Sequence, residues 1–271
     1  MRLLVVIVIY NQNFLESRAV LSLINNKVES SIVKVDYFIY DNSSRNYNYK
    51  KLPDNIIYKR NKSNPGVSAA YNLGFNYARE QRYDWVMLSD QDTKYPDTFF
   101  QNVAKNLMRE NYSIYIPMLR QDNRIVSPVR FRYFRGIPIK SRLSGEINLK
   151  SRIFPINSGL ILGPQIFMNF KYNDKARLDF SDFIFFERLL KSNFKYFILD
   201  VWCEHDLSSN EVNPLERQLL RFEYYSRGLF EYAKENQLLY FGFLFLFARA
   251  SLLNLRNGTF KFYNGLNAYA D

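Results

Sequence analysis

The chain has one cysteine, Cys203, among 271 residues, so no intramolecular disulfide can form and a reducing compartment is the expected setting. It has no Pro/Gly/Ser-rich linker, low-complexity tract or internal repeat, which argues against independently folding halves. Its opening apolar run, Leu3 to Tyr10, is about half the length of a membrane span. That run ends in polar Asn11-Gln12-Asn13 and lacks a small-residue cleavage site, so neither a span nor a signal peptide is expected there. Acidic residues are outnumbered, 26 against 37 Lys and Arg, for a net charge of +11. Such a surplus favours an acidic membrane surface or a phosphorylated ligand as partner, or serves solubility alone. The basic residues are scattered, with no basic arm and no zinc-finger or RNP-type signature, so nucleic acid is not an expected partner.

What is present is a large apolar share, 47%, enough for one sizeable core. Leu3 to Tyr10 is continuous in its apolarity and rich in β-branched residues, as in a central parallel strand covered on both faces. A helix over about 14–26 and a strand over 35–40 complete a β-α-β unit that ends in the turn formers Asp41-Asn42-Ser43-Ser44. A short strand at 56–58, a turn at Asn64-Pro65-Gly66, a helix over 67–80 and a strand at 85–88 follow. That last strand runs into Ser89-Asp90-Gln91-Asp92-Thr93. In open α/β sheets ligands lie beyond the carboxyl ends of the strands, and these polar clusters fall on one edge. Further strands are expected near 113–117, 124–129 and 195–202, a basic loop over 130–150, a helix within 177–191 and helix from Pro214 to about Arg256.

Two carboxylates one residue apart after a buried strand, Asp90 and Asp92, can both reach one divalent cation, and hard cations such as Mg²⁺ and Mn²⁺ favour such oxygen ligands. By itself an Asp-x-Asp pair is also a common solvated turn. Asp41 is either a carboxylate that accepts from the imide N–H of a pyrimidine or an Asx turn that ends its strand. His205, the single histidine, is either structural or a ligand. The nucleotidyltransferases, which also pair an α/β sheet with carboxylate-bound Mg²⁺, usually follow the first strand with a glycine-rich basic loop; here it runs into Tyr10-Asn11-Gln12-Asn13. That enzyme class and a non-catalytic sugar-nucleotide-binding protein are the two rival readings.

Taken in order, Val8-Ile9-Tyr10-Asn11, Asp41-Asn42-Ser43-Ser44, Asn64-Pro65-Gly66 with Asn72-Leu73-Gly74, and Leu88-Ser89-Asp90-Gln91-Asp92-Thr93 resemble glycosyltransferase family 2. This is the inverting family with a GT-A fold, and the resemblance covers most of residues 3 to 210. The rhamnosyltransferase-like branch is the most similar. The resemblance implies an α/β, GT-A type nucleotide-sugar-binding fold with a mainly parallel central sheet and C-terminal helices. It implies a catalytic domain over 1–215, with a nucleotide-binding half over 1–100 and an acceptor half over 101–215, and a helical extension over 216–271. The activity it implies is inverting transfer of a sugar from a UDP- or dTDP-sugar to a hydroxyl of a glycan or lipid-linked glycan, in bacterial surface polysaccharide synthesis.

Carried over residue by residue, Tyr10, Asn11, Asp41, Asn64, Asn72 and Asp90 would contact the nucleotide-sugar. Asp92 and His205, with Asp90, would hold Mn²⁺ or Mg²⁺. Asp182, six residues before Arg188, would be the general base, supported by Asp179 and Arg188. The chain departs from the related branch at Ile184, where that branch has a second acidic residue, and this bears on acceptor contacts.

Leu238 to Leu255 is apolar except for Arg249. It is either a core helix or a helix lying in the membrane interface, with nearby basic residues meeting anionic lipid. A bilayer-crossing helix is disfavoured by that arginine. The expected location is the cytoplasm, extending to its membrane face.

Overall fold

A computed structural model describes residues 1–26, 32–47, 49, 51–108, 112–192, 194–206 and 214–269. Every residue from Leu3 to Ile9 in β1 (Arg2–Ile9) is buried. Its alternating side chains feed two cores: Leu4, Val6 and Val8 pack with Ala70, Phe75 and Ala78, whereas Leu3, Val5 and Ile7 pack with Val20, Leu23 and Phe99. Strand period two is what divides one apolar run between two faces. The expected helix over 14–26 is broken: a 3-10 turn at Phe14–Glu16 precedes α1 (Arg18–Ile24). Ser17 is the break, because its hydroxyl accepts from Val20 N–H at 3.4 Å and donates to the Gln91 carbonyl at 2.9 Å, capping the helix at its N-terminus.

Next come β2 (Lys34–Asp41), β3 (Ile56–Arg60), α2 (Val67–Glu80), β4 (Trp85–Asp90), β5 (Thr93–Lys94) and α3 (Phe99–Leu107). The order β3-β2-β1-β4 is parallel throughout, and the register sets Ile9 opposite Asp41 and Val8 opposite Asp90. Three strand ends therefore finish level on one edge.

The second half is more intricate than the sequence implied. β6 (Ile114–Gln121) and β7 (Arg124–Ser127) are separated from β8 (Val129–Arg132) by Pro128, which lacks the N–H a continuing ladder needs. The basic segment 130–150 is not a loop: it carries most of β8, then β9 (Arg135–Pro138) and β10 (Gly145–Asn148). β8 alternates buried and exposed residues, whereas β9 is exposed at all four, so no hydrophobic alternation marked β9. β11 (Ile153–Phe154) joins β8 and β9 in a small sheet, while β12 (Ile161–Leu162) lies antiparallel between β4 and β6.

After α4 (Pro164–Phe167) and α5 (Ser181–Leu190), β13 (Lys195–His205) runs three residues beyond its expected end. His205 therefore sits on a strand rather than after one, opposite Thr93 of β5. Last come α6 (Leu215–Glu235) and α7 (Leu239–Asn257). Leu229 and Tyr232 of α6 enter the main core. α7 buries only a narrow stripe, Gly242, Leu246, Ala250 and Asn254.

Candidate active site

The edge where β1, β2 and β4 end is built on Asp90. Its backbone N–H donates to Ser158 Oγ at 2.8 Å, and its carboxylate accepts from the Tyr71 hydroxyl at 2.7 Å and from Ser158 at 3.1 Å. Burial, reinforced by Asp90, holds the Tyr71 phenol well above its ordinary range, so it remains a donor.

Thr93 Oγ1 donates to Ser158 Oγ at 2.9 Å. Each hydroxyl has one proton, so the 2.7 Å contact between Thr93 Oγ1 and His205 Nδ1 must be a ring N–H donating to the threonine. A directed chain thus runs from His205 through Thr93 and Ser158 to Asp90. Asp92 Oδ1 lies 3.4 Å from the same ring nitrogen, yet it is buried with no hydrogen-bond partner. Burial raises the Asp92 carboxyl to about 6 against the opposing pull of His205.

A buried carboxylate oxygen without a donor costs about 1–3 kcal/mol unless something polar or cationic meets it. Among the described residues no group of three or more His, Cys, Asp or Glu side chains is placed to hold a metal ion. Asp92 and His205 form a pair, with Asp90 engaged by Tyr71 and Ser158. Such a set does not make an all-protein cage. It does fit a hard cation of the Mg²⁺ kind, which takes one or two carboxylates and completes its shell with phosphate and water oxygens.

The β1–β2 corner holds Tyr10, which is 47% exposed, and Asn11, whose positive φ of 53° places it in the left-handed region. Asn11 N–H donates to Ser43 Oγ at 2.8 Å. Asp41 is 1% exposed, and its two oxygens accept from Ser43 N–H at 2.8 Å and the Tyr58 hydroxyl at 2.6 Å. The Asx turn is therefore present. The uncommitted acceptor in this corner is its neighbour: Asn42 Oδ1 is buried without a partner, while Asn42 Nδ2 donates to the Gly66 carbonyl at 3.4 Å. Asn64 is also left-handed, with φ 45°, and starts the turn through Gly66. A Cβ on Gly66 would stand 2.3 Å from the Arg177 carbonyl, and its φ is +97°, so the turn requires glycine.

Arg177 begins the approach to the other candidate residues. Asp182, in the first turn of α5, accepts from Phe183 N–H at 2.8 Å. Burial raises its carboxyl to about 7, with further upward pushes from Asp179 and Asp90. Buried Tyr172 feels the charge of both Asp182 and Asp90. The structure thus brings Asp182 into electrostatic range of the Asp90 strand end.

Asn72 and Arg188, also carried over from the resemblance, stand apart. Asn72 clips Tyr172, donating to its carbonyl at 3.1 Å and accepting from its N–H at 2.8 Å, and donates to Asp174 at 2.7 Å. Arg188 is engaged by Glu235 and the Lys171 carbonyl. Asp179 faces the C-terminal helices, 3.1 Å from Arg221, and burial raises its carboxyl. Tyr71, Ser158 and Gln91 join the site without having been assigned roles. Ser158 is 68 residues from Asp90, and nothing in the sequence links the two.

Residues 4–175, more than half of the chain, match the model described as Glycosyl transferase family 2. No curated protein matches by sequence. Among solved structures, S. aureus TarS superposes with a TM-score of 0.57 at 13% identity, covering 85% of this chain and 40% of that one. S. aureus TarS 1-349 in complex with UDP-GlcNAc gives 0.56 at 12% identity, covering 88% and 70%. The form in complex with UDP gives 0.54 at 12%, with the same coverage. This chain therefore spans about two fifths of the longer TarS chain. At such identities the likeness is one of fold: a GT-A type α/β architecture with a mixed, largely parallel sheet and C-terminal helices.

Proposed function

The chain belongs to glycosyl transferase family 2, and on that premise we propose that it is an inverting glycosyltransferase using a nucleoside diphosphate sugar. The observation that carries this reading is the approach of Asp182, its proton affinity raised to about 7, to the strand-end carboxylate Asp90. A carboxylate poised near neutral pH is suited to general-base work. In the proposed reaction Asp182 takes the proton of an acceptor hydroxyl as its oxygen attacks the anomeric carbon. The bond from that carbon to the diphosphate oxygen breaks, and the diphosphate leaves with the electron pair on the opposite face.

The nucleotide lies along the β1–β2–β4 edge in this reading. Tyr10 and Asn11 border the base and ribose. Asp41 shapes the base pocket, and Asn42 Oδ1 offers the free acceptor for a pyrimidine imide N–H. Asn64 sets the turn beside it, whereas Asn72 acts through the 172–174 segment. Asp92 and His205, with Asp90, would hold Mn²⁺ or Mg²⁺. Such a cation, when bound, neutralises charge on the departing diphosphate. Asp179 raises the proton affinity of Asp182, and Arg188 ties α5 to α6 through Glu235.

Resemblance to the rhamnosyltransferase-like branch favours a dTDP-deoxysugar, whereas the similar TarS structure was solved with UDP-GlcNAc. The acceptor in this proposal is a glycan or lipid-linked glycan in bacterial surface polysaccharide synthesis. α7 favours an acceptor confined at a cytoplasmic membrane face. It is a helix long and apolar enough to cross a membrane, and only 22% of its apolar stretch is buried in the fold. Tyr240, Phe241, Phe243, Leu244, Phe247 and Leu255 are all exposed. An anionic bilayer surface is the occupant that suits both this apolar face and the +11 charge.

The decisive experiment is a panel of UDP- and dTDP-sugars with Mn²⁺ or Mg²⁺, read by released nucleoside diphosphate. Release above the uncatalysed rate with one donor supports the proposal. Binding of donors without any release would make the chain a sugar-nucleotide-binding protein.

A further inference from the structure

A cleft of about 980 Å³ opens on the far side of the 174–177 segment, walled by α6 and by the 3-10 segment Lys261–Tyr269. None of the candidate active-site residues above, from Tyr10 to His205, lines it. Its size is at the upper end for ligand pockets, and its chemistry is uneven. Five cations face it: Lys175, Arg177, Arg227, Lys234 and Lys261. Three acids face it, and among the described residues only Glu223 is paired with a cation. Glu223 pairs with Arg227 at 2.9 Å, Asp174 accepts from Asn72 at 2.7 Å, and Glu231 accepts from Asn173 at 3.0 Å. By contrast Lys175, Lys234 and Lys261 form no ion pair among the described residues. Five cations against three acids leave the concavity with a surplus of two positive charges, and so with a positive potential.

The remaining lining narrows the ligand. Asn264 and Asn267 are exposed and lack side-chain hydrogen bonds among the described residues, so each offers a donor pair and an acceptor to neighbouring hydroxyls. Phe222 and Phe230 supply apolar floor. Ammonium groups, free amides and aromatic edges together suit a sugar chain that bears phosphate or carboxylate.

The cleft is also tied to the reaction centre along the chain. Ala176 and Arg177 are fastened to α2: Ser68 donates to the Ala176 carbonyl, and Val67 N–H donates to the Arg177 carbonyl at 2.8 Å. Five residues later the same segment supplies Asp182, no more than about 18 Å of extended chain away. A multi-sugar chain spans such a gap, and a single sugar does not.

We propose that this cleft is an acceptor exosite, which binds an anionic stretch of the acceptor glycan several sugars away from the hydroxyl that reacts. The proposal rests on the glycosyltransferase reading for the word acceptor, but the binding itself is tested separately. The probe is a fluorescent dextran sulfate oligomer, titrated by anisotropy into the full chain beside neutral dextran of the same length. The test variant carries Lys175→Gln, Lys234→Gln and Lys261→Gln. The control variant loses the same charge at exposed sites elsewhere, through Lys105→Gln, Lys140→Gln and Lys150→Gln.

The expected result is weaker binding of the sulfated oligomer by about tenfold in the test variant, the sum of three partly screened contacts. The control variant should bind as the parent does, and donor hydrolysis without acceptor should be equal in all three proteins. An equal loss in test and control variants would mean diffuse attraction to a basic protein and would overturn the proposal. So would unchanged oligomer binding in the test variant, including the case where its binding to phosphatidylglycerol vesicles falls instead. Selective oligomer binding by a chain that hydrolyses no donor would leave the cleft as a glycan site and remove the transferase reading alone.

Discussion

The backbone N–H of Tyr10 donates to Gln91 Oε1 at 2.7 Å, across 81 residues of sequence. Gln91 also accepts through its own carbonyl from Ser17 Oγ at 2.9 Å and from Ala19 N–H at 3.2 Å. The central residue of Asp90-Gln91-Asp92 is therefore a splint between the end of β1 and the start of α1. It sets the distance between the proposed nucleotide wall and the carboxylates.

Gln91→Ala removes the Tyr10 contact and leaves the backbone bonds. Donor affinity should fall by about tenfold, the worth of one hydrogen bond that leaves a partly shielded N–H unpaired. Calorimetric titration with the best donor checks this, and unchanged affinity would show that the β1 end does not meet the nucleotide.

Asp182→Asn should lower kcat by about 10² to 10⁴ with donor affinity nearly unchanged, as expected for loss of a general base. In the parent, the rate should fall as pH drops below about 7, because only the deprotonated carboxylate accepts the acceptor's proton. A rate profile flat from pH 5 to 8 would remove Asp182 from the base role.

The same substitution has an opposite effect on stability. The folded-state value of Asp182 is raised from the ordinary 3.8 to about 7, so its contribution is fully favourable below 3.8 and is lost as pH rises through 7. Asp182→Asn should therefore unfold later than the parent at pH 8, by up to about 4 kcal/mol, with little difference at pH 3.5. Denaturant titrations at the two pH values decide it.

Asp92→Asn tests the metal reading. In that reading its orphaned Oδ1 meets the cation, and the variant should lose stimulation by Mn²⁺. Equilibrium dialysis with Mn²⁺ and UDP gives a readout independent of turnover. Equal metal uptake by parent and variant would assign the cation elsewhere.

For α7, Phe241→Ser, Phe247→Ser and Leu255→Ser combined should abolish sedimentation with phosphatidylglycerol vesicles at low salt. Circular dichroism should be unchanged, because these side chains lie outside the buried stripe Gly242, Leu246, Ala250 and Asn254. Vesicle binding that survives the triple change would discount the aromatic face.

Much of the fold of the first hundred residues was legible because its signals are local. The apolar run of β1, the turn formers after β2 and the carboxylates after β4 each announce themselves within a few residues, and parallel pairing levels them. The second half was less so. β9 has no buried residue to create a pattern, and β13 continues to His205 because β5 pairs with it, a partnership 112 residues apart. Tyr71 and Ser158 escaped for the same reason: a hydroxyl's role depends on what folds opposite it. Asp182 was singled out through family spacing, while its raised proton affinity comes from burial, which spacing does not reveal.

The segment bearing the proposed base approaches α2 through its main chain. Asn72 grips the N–H and carbonyl of Tyr172, Ser68 the carbonyl of Ala176, and Val67 the carbonyl of Arg177. Apart from the Asp174 contact, none of these bonds asks for a particular side chain between 172 and 177. The fastening is indifferent to sequence. Exposed residues such as Lys175 are therefore free to be exchanged, in evolution or by design, so that one scaffold can be refitted on that face without moving the carboxylate of Asp182.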